Sequence, residues 1–242
     1  MPQLTITSFN MHCGLRARRN GVCAPYDLAH VLRSLAANSD VMVLQESFIP
    51  DGQPSIAEQV ADELGATVFE LPFGRAKLAP WPHVPRNGTG SGAVGLAIVS
   101  RIPAELRGRL EVGTVAGDPT PERGGLHVEL DVGGEAVDLI GVHLSSRLPY
   151  GPPIQLTRLR RQLPAPGTPA IVAGDCNFWG PGVQAFLPGW RRTVRGRTWP
   201  ARGPHSQIDH ILVSPELEAT RAEVLPAVGS DHLPVRAVLQ VR

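Results

Sequence analysis

Apolar and polar residues alternate from Leu4 to Ser8, as they do along a half-buried strand, so residues 3–9 read as the first strand. Residues 10–24 lose this pattern, carry Gly14, Gly21, Arg16, Arg18 and Arg19, and read as a loop. Leu28, Val31, Leu32 and Leu35 then recur at helical spacing behind Asp27, a residue suited to a helix start. The run VMVLQ at 41–45 has the continuous apolar character of a buried strand. Ile56, Val60 and Leu64 lie on one face of a second helix that Gly65 closes, and residues 66–71 read as a further strand.

Residues 72–92 break the periodicity with Pro and Gly, and Trp81, His83 and Arg86 punctuate them; loops of this length in compact folds are often functional. Strand-like segments return at 93–100, 107–114, 125–132 and 136–144. A short helix is expected over 154–163 and a buried strand over 169–174. Residues 176–206 read as mostly irregular and arginine-rich, ahead of last strands at 208–213 and 234–241. With strands spread along the whole chain and no linker or repeat, residues 1–242 are expected to form one α/β domain with helices covering sheet faces.

Composition narrows this only slightly. Hydrophobic residues make up 42% of the chain, enough for a substantial core, and the formal net charge of +1 gives no case for a strongly basic nucleic-acid binder, although a local basic patch can coexist with a neutral total. Lys77 is the sole lysine; the remaining basic side chains apart from histidine are arginines, which grip phosphate bidentately. Cys13, Cys23 and Cys176 are too few and too scattered for a disulfide framework or a zinc site. The chain opens on a strand pattern without the features of a signal peptide. No apolar run approaches the roughly 18–20 residues that span a bilayer. A soluble chain in the reducing cytoplasm, with no obligate protein partner, is expected.

The chemistry lies where apolar runs end. Asn10 follows LTITSF, Glu46 follows VMVLQ, His143 follows VDLIGV, and Asp175 and Asn177 follow AIVAG. Asp209 opens DHILVS, and Asp231 and His232 precede LPVRAVL. A strand end hands its side chain from a buried scaffold to a cleft. Each residue alone has an ordinary explanation: a turn cap, a helix cap, an acceptor at a strand start, an interior histidine. Together they would bury unpaired carboxylates, which is costly without a cation. Carboxylates and carboxamides are hard oxygen donors suited to Mg2+ or Mn2+. Imidazoles serve as acid, base or hydrogen-bond donor, and a further aspartate can orient one of them. His30 and His127 are expected to be structural, and His210 should point away from Asp209 because neighbouring residues of a strand face opposite sides.

The segments SFN (8–10), QE (45–46), GVHL (141–144), GDCN (174–177), IDHI (208–211) and SDH (230–232), in this order, resemble the endonuclease/exonuclease/phosphatase superfamily of deoxyribonuclease-I-like metal-dependent phosphohydrolases. GLAIVSRIP (95–103) resembles that superfamily's central strand and turn, and the likeness runs from residue 4 to about residue 239. It implies a four-layer α/β sandwich of two mixed β-sheets packed face to face, with helices on the outer faces. It also implies Glu46 as the main metal ligand, with Asn10 and Asp231 in or near the same shell. Asp175 would position or activate the attacking water, Asn177 would donate to a phosphate oxygen, and His143 and His232 would flank the phosphate with Asp209 orienting His232.

His12 stands where abasic-site endonucleases of the superfamily carry aspartate, which counts against abasic-site repair, and Cys176 reads as a small buried residue. The substrate is expected to be a phosphoester, with nucleic acid among the candidates. Arg16, Arg18, Arg101 and Arg197 are candidate substrate contacts, with Arg101 better suited to bracing the fold, and Trp81, Trp179 and Trp199 are candidate stacking platforms. The arginine-rich loops favour phosphodiester hydrolysis, a nuclease first. The alternatives are a phosphomonoesterase, a lipid-headgroup phosphoesterase, a glycosidase using Glu46 and Asp175, and an inactive binding module of the same fold.

Overall fold

The computed structural model describes residues 2–17, 23–75, 91–118, 120 and 123–242. Two six-stranded mixed sheets form its centre. The first contains β1 (Gln3–Asn10), β4 (Val41–Pro50), β5 (Thr67–Arg75), β6 (Gly92–Ser100), β13 (Leu217–Val224) and β14 (Val235–Val241), ordered β13-β14-β1-β4-β6-β5. The second contains β7 (Ala104–Glu111), β8 (Gly124–Val132), β9 (Glu135–His143), β10 (Ala170–Asp175), β11 (Arg191–Arg192) and β12 (Asp209–Val213), ordered β11-β12-β10-β9-β8-β7. A small hairpin, β2 (Leu15–Ala17) with β3 (Cys23–Pro25), stands apart from both.

The apolar pattern explains the layering. Val41 and Val43 point into a core between the sheets, shared with Ile6, Val128, Leu139, Ile171 and Ile211. Met42 and Leu44, on the alternate face, pack against Leu32, Leu35 and Val60 of α1 (Leu28–Ala36) and α2 (Ile56–Leu64). Both faces of this strand are covered, which is why its sequence is continuously apolar. On the far side Ile140, Val142 and Val172 pack on Leu156, Leu159 and Val183 of α3 (Gly151–Arg160) and α4 (Gly180–Phe186). Helix, sheet, sheet, helix is the expected four-layer sandwich. Asp27 accepts from the His30 amide at 2.9 Å to start α1, and Ser55 does the same for Glu58 at 3.0 Å to start α2, which ends on left-handed Gly65.

Several boundaries differ from expectation. Residues 12–14 form a single 3-10 turn leading into the β2–β3 hairpin where a plain loop is expected. β13 is an edge strand whose largely half-buried LEATRAEV carries little alternation, so the sequence pattern does not announce it. α4 begins with Gly-Pro-Gly, poor helix formers that mask a short helix. β4 continues five residues past Gln45 through a bulge at Glu46. Most of the expected 72–92 loop, with Trp81, His83 and Arg86, and the Arg18 and Arg19 positions lie outside the described residues. No helix among the described residues is long and apolar enough to cross a membrane.

Candidate active site

The parallel pairs β1–β4 and β9–β10 direct their C-terminal ends to one edge of the sandwich. Asn10 pairs with Gln45 in the first sheet, and Asp175 pairs with His143 in the second. Glu46 is the extra residue of the bulge between Gln45 and Ser47 and adopts a φ of 53°, a left-handed conformation uncommon for a non-glycine residue. The bulge takes Glu46 out of strand alternation. Gly174 has a φ of 149°, and a Cβ there would collide with the Val142 carbonyl, so the glycine of GDCN lets β10 approach β9 and delivers Asp175 beside His143.

Asp175 is the hub. It is buried, and its Oδ2 accepts from Asn10 Nδ2 at 3.1 Å and Asn177 Nδ2 at 3.3 Å, while Oδ1 accepts from the Asn177 amide at 2.8 Å. His143 Nε2 lies 3.6 Å and His232 Nε2 3.9 Å from the same Oδ2. Asn10 Nδ2 also donates to Glu46 Oε1 at 3.2 Å. His232 Nδ1 donates to Asp209, 3.1 and 3.0 Å from its two oxygens. Ser230 Oγ donates to the Asn10 carbonyl at 2.7 Å and accepts the His232 amide at 3.1 Å, fixing the SDH turn against β1.

Burial tends to deprotonate His232, but the charge and hydrogen bond of Asp209, with further help from Asp175 and Asp231, raise it to about 10, so it is an imidazolium at neutral pH. Burial raises Asp175 to about 7; Asp209 adds to this, and the His232 charge and the amides of Asn177 and Asn10 oppose it. Burial, then the charges of Arg123 and His232, push His143 well below the usual histidine range, and its buried Nδ1 has no hydrogen-bond partner. His143 is therefore neutral.

Two acidic groupings could attract a cation. Asp175, Asp209 and His232 bring ligand-type atoms within 4.8 Å of one another. In that group His232 is already paired through Nδ1 with Asp209 at 3.0 Å. Glu46 and Asp231 are half-buried, and after burial and Cys13 their charges are the next causes that raise the Tyr26 phenol. Trp199 Nε1 donates to Asp231 at 3.3 Å, and His12 Nδ1 lies 3.5 Å from it. Two hard carboxylates open to water fit Mg2+ or Mn2+.

Both carboxamides are engaged within the site. Asn10 turns its amide hydrogens to Glu46 and Asp175 and its oxygen to the His12 amide (3.0 Å), so it bridges the two carboxylates. Asn177 Nδ2 donates to Leu144 O (2.9 Å) and to Asp175 (3.3 Å).

The arginines separate. Arg101 is corrected: Ser100 pairs with Val41 at the opposite end of the sheet from Glu46, and the Arg101 guanidinium donates to the Ala36 carbonyl at 2.9 Å, bracing the end of α1. Arg197 is exposed beside Thr198, whose hydroxyl accepts from the Asp209 amide at 3.3 Å. Arg16 lies in β2 near Asp231, and Arg18 is outside the described residues. Arg123 escaped the sequence reading because one charged residue before an apolar run is commonplace. It is 5% exposed, its Nε donates to Asp118 at 2.9 Å, and its charge reaches His143. His210 does point away from Asp209, donating through Nε2 to the Phe178 carbonyl at 2.9 Å. Cys176 is fully buried and its thiol is pushed well up by that burial.

The model of the Endonuclease/Exonuclease/phosphatase family matches residues 7–232. No curated protein matches the chain. Among solved structures, an endonuclease/exonuclease/phosphatase from Beutenbergia cavernae is similar with a TM-score of 0.72 and 21% identity over 100% of this chain and 72% of the other. A mannosyl-6-phosphatase of Bacteroides thetaiotaomicron is similar with a TM-score of 0.67 and 17% identity, over 98% and 99% of the two chains. The human Nocturnin catalytic domain, bound to sulfate, gives a TM-score of 0.67 and 16% identity over 100% and 95%. At these identities the likeness is one of fold.

Proposed function

The chain belongs to the endonuclease/exonuclease/phosphatase family, a family of phosphoester hydrolases, and from that premise we propose that it hydrolyses a phosphoester, a phosphodiester first, with a divalent cation. The observation that carries this reading is the hub at Asp175, which touches a carboxylate group through Asn10 on one side and approaches an imidazolium at His232 on the other. A glycosidase built on Glu46 and Asp175 needs two carboxylates facing each other across an open groove. Here one amide, Asn10, joins them directly.

Glu46 and Asp231 would hold the ion, with Asn10 fixing Glu46 relative to Asp175. When bound, a Mg2+ or Mn2+ ion neutralises phosphate charge and acidifies a nearby water. Asp175, in its ionised form, accepts the proton of the attacking water, and the amide donors from Asn177 and Asn10 aim its oxygens. Water oxygen bonds to phosphorus as the opposite P–O bond breaks, and that electron pair leaves with the ester oxygen. His232, held by Asp209, donates to a phosphoryl oxygen as charge accumulates. Neutral His143 lines the same pocket and contributes a hydrogen bond without adding charge.

The test is turnover of plasmid DNA, bis-(p-nitrophenyl) phosphate and p-nitrophenyl phosphate with Mg2+ or Mn2+. We expect cleavage of the diesters ahead of the monoester, abolished by EDTA and reduced about 10²–10⁴-fold in His232→Ala. Metal-independent turnover, or a His232→Ala variant as active as the parent, would sink the reading. Preference for the monoester would retain the chemistry and reassign the substrate to a phosphomonoester.

A further inference from the structure

A cavity of about 390 Å³ opens beside Asp231, and neither His143 nor Asp175 lines it. It is lined by Arg16 from β2, by Pro200, Ala201 and Arg202 from the turn after Trp199, and by the 227–231 loop. Its volume falls within the range of small-ligand pockets, roughly 300–1,000 Å³. The walls are held from several directions. The Ala201 amide donates to the Asp231 carbonyl at 2.6 Å, and the Leu233 amide to the Thr198 carbonyl at 2.8 Å. A Cβ on Gly229 would meet the Tyr26 ring at 2.6 Å, so only glycine lets this loop seat on Tyr26, whose hydroxyl in turn donates to the Met11 carbonyl at 2.7 Å. The cavity is therefore formed before any ligand arrives.

Its charge is not self-neutralised. Neither the Arg16 nor the Arg202 guanidinium has a hydrogen-bond or ion-pair partner among the described residues. Asp231 is the sole acidic residue among the described residues of the lining, and under the reading above its charge is directed to the cation. Pro200, Ala201, Ala227 and Val228 supply the remaining, apolar wall. Two guanidiniums over an apolar wall match a phosphoryl dianion attached to an organic body, because each planar fork can donate two parallel hydrogen bonds to phosphate oxygens.

We propose that this cavity is a subsite for a second phosphoryl group of the substrate, so that the enzyme selects phosphoesters bearing at least two phosphates. The inference rests on the hydrolase reading for its biological meaning but on the cavity alone for its binding. Sugar bisphosphates and phosphorylated oligonucleotides share the required chemistry.

The experiment measures binding, in the His232→Ala background with Mg2+ so that substrate survives, by calorimetric titration of two matched pairs. One pair is a hexose 6-phosphate and the hexose 1,6-bisphosphate. The other is a thymidine dinucleotide with and without a 5′-phosphate. We expect the second phosphate to tighten binding about tenfold or more in at least one pair. The identity of that pair assigns the source. Arg16→Gln with Arg202→Gln should bring the ratio to about one, and Arg16→Lys with Arg202→Lys should restore part of it. Unfolding midpoints of the variants confirm that these exposed substitutions leave the fold intact. Equal affinity within both pairs, or a preference that survives the double glutamine variant, overturns the subsite. The preference without turnover by the parent enzyme would instead overturn the hydrolase reading and leave the subsite standing.

Discussion

Asp209 and His232 together set the alkaline behaviour of the site. In the proposed mechanism the imidazolium is the form that donates to phosphate, and its raised value of about 10 comes from Asp209 overcoming burial. Asp175 must be ionised, and it titrates at about 7 in the metal-free site, a value a bound cation lowers. Activity should therefore rise through neutrality or below it and fall toward pH 10. Asp209→Asn removes the largest influence holding the proton on His232, so the descending limb should move to lower pH and maximal turnover should drop about 10²–10⁴-fold. A pH–rate profile with an unmoved descending limb would show that His232 is not the titrating donor. Asp209 and His232 could be proposed from sequence because a carboxylate and an imidazole are recognisable wherever they stand. The direction of the Asn10 and Asn177 amides could not, since either end of a carboxamide can face a partner and only neighbours in space decide.

The bulge in β4 is the element on which the proposed cation site depends. A non-glycine residue at φ 53° costs on the order of 1–2 kcal/mol, and Glu46 endures it to face Asn10. Glu46→Gly should make the metal-free protein more stable by about 1 kcal/mol, measured by urea unfolding, because glycine adopts this conformation without penalty. The parent should gain about 2.7 kcal/mol from Mg2+ at a hundred times its Kd, and the variant should gain almost none. A variant that is less stable without metal, or still stabilised by it, would contradict this assignment of Glu46. The strand's existence was plain from its apolar run, but its bulge was not: VMVLQ and ESFIP contain no glycine to mark a left-handed turn. The two opening helices were equally plain, since capping residues and spacing agreed, whereas edge strand β13 hides because Leu217 alone of its residues is fully buried and its small alanines give little alternation.

At the scale of the whole molecule, stability in acid is tied to a histidine outside the chemistry. His210 is buried, with burial lowering it to about 4 despite its hydrogen bond to the Phe178 carbonyl. Its folded value lies below the unfolded one of about 6.5, so the unfolded chain binds the proton more readily. Stability should fall as pH drops from about 6.5 to 4, by up to roughly 3 kcal/mol from this group. His210→Gln should flatten that part of the stability curve, and an unchanged acid slope would assign the loss to other groups. The layered architecture was legible in the order of apolar runs, but the meeting of the sheets was not, because contacts between residues 165 positions apart, such as Asn10 with Asp175, leave no local trace. The strand orders of the two sheets carry one more consequence. Read outward from β1 and from β10, each sheet has two antiparallel neighbours on one side, and on the other a parallel neighbour followed by two antiparallel ones. The two sheets thus share one pattern of strand directions. Asn10 and Asp175 end the equivalent strands and clasp each other, while their parallel partners lead to Glu46 and His143. Matching backbone plans therefore carry unlike side chains at their corresponding strand ends, and in the proposed reaction the difference between the two sides of the site resides in those side chains.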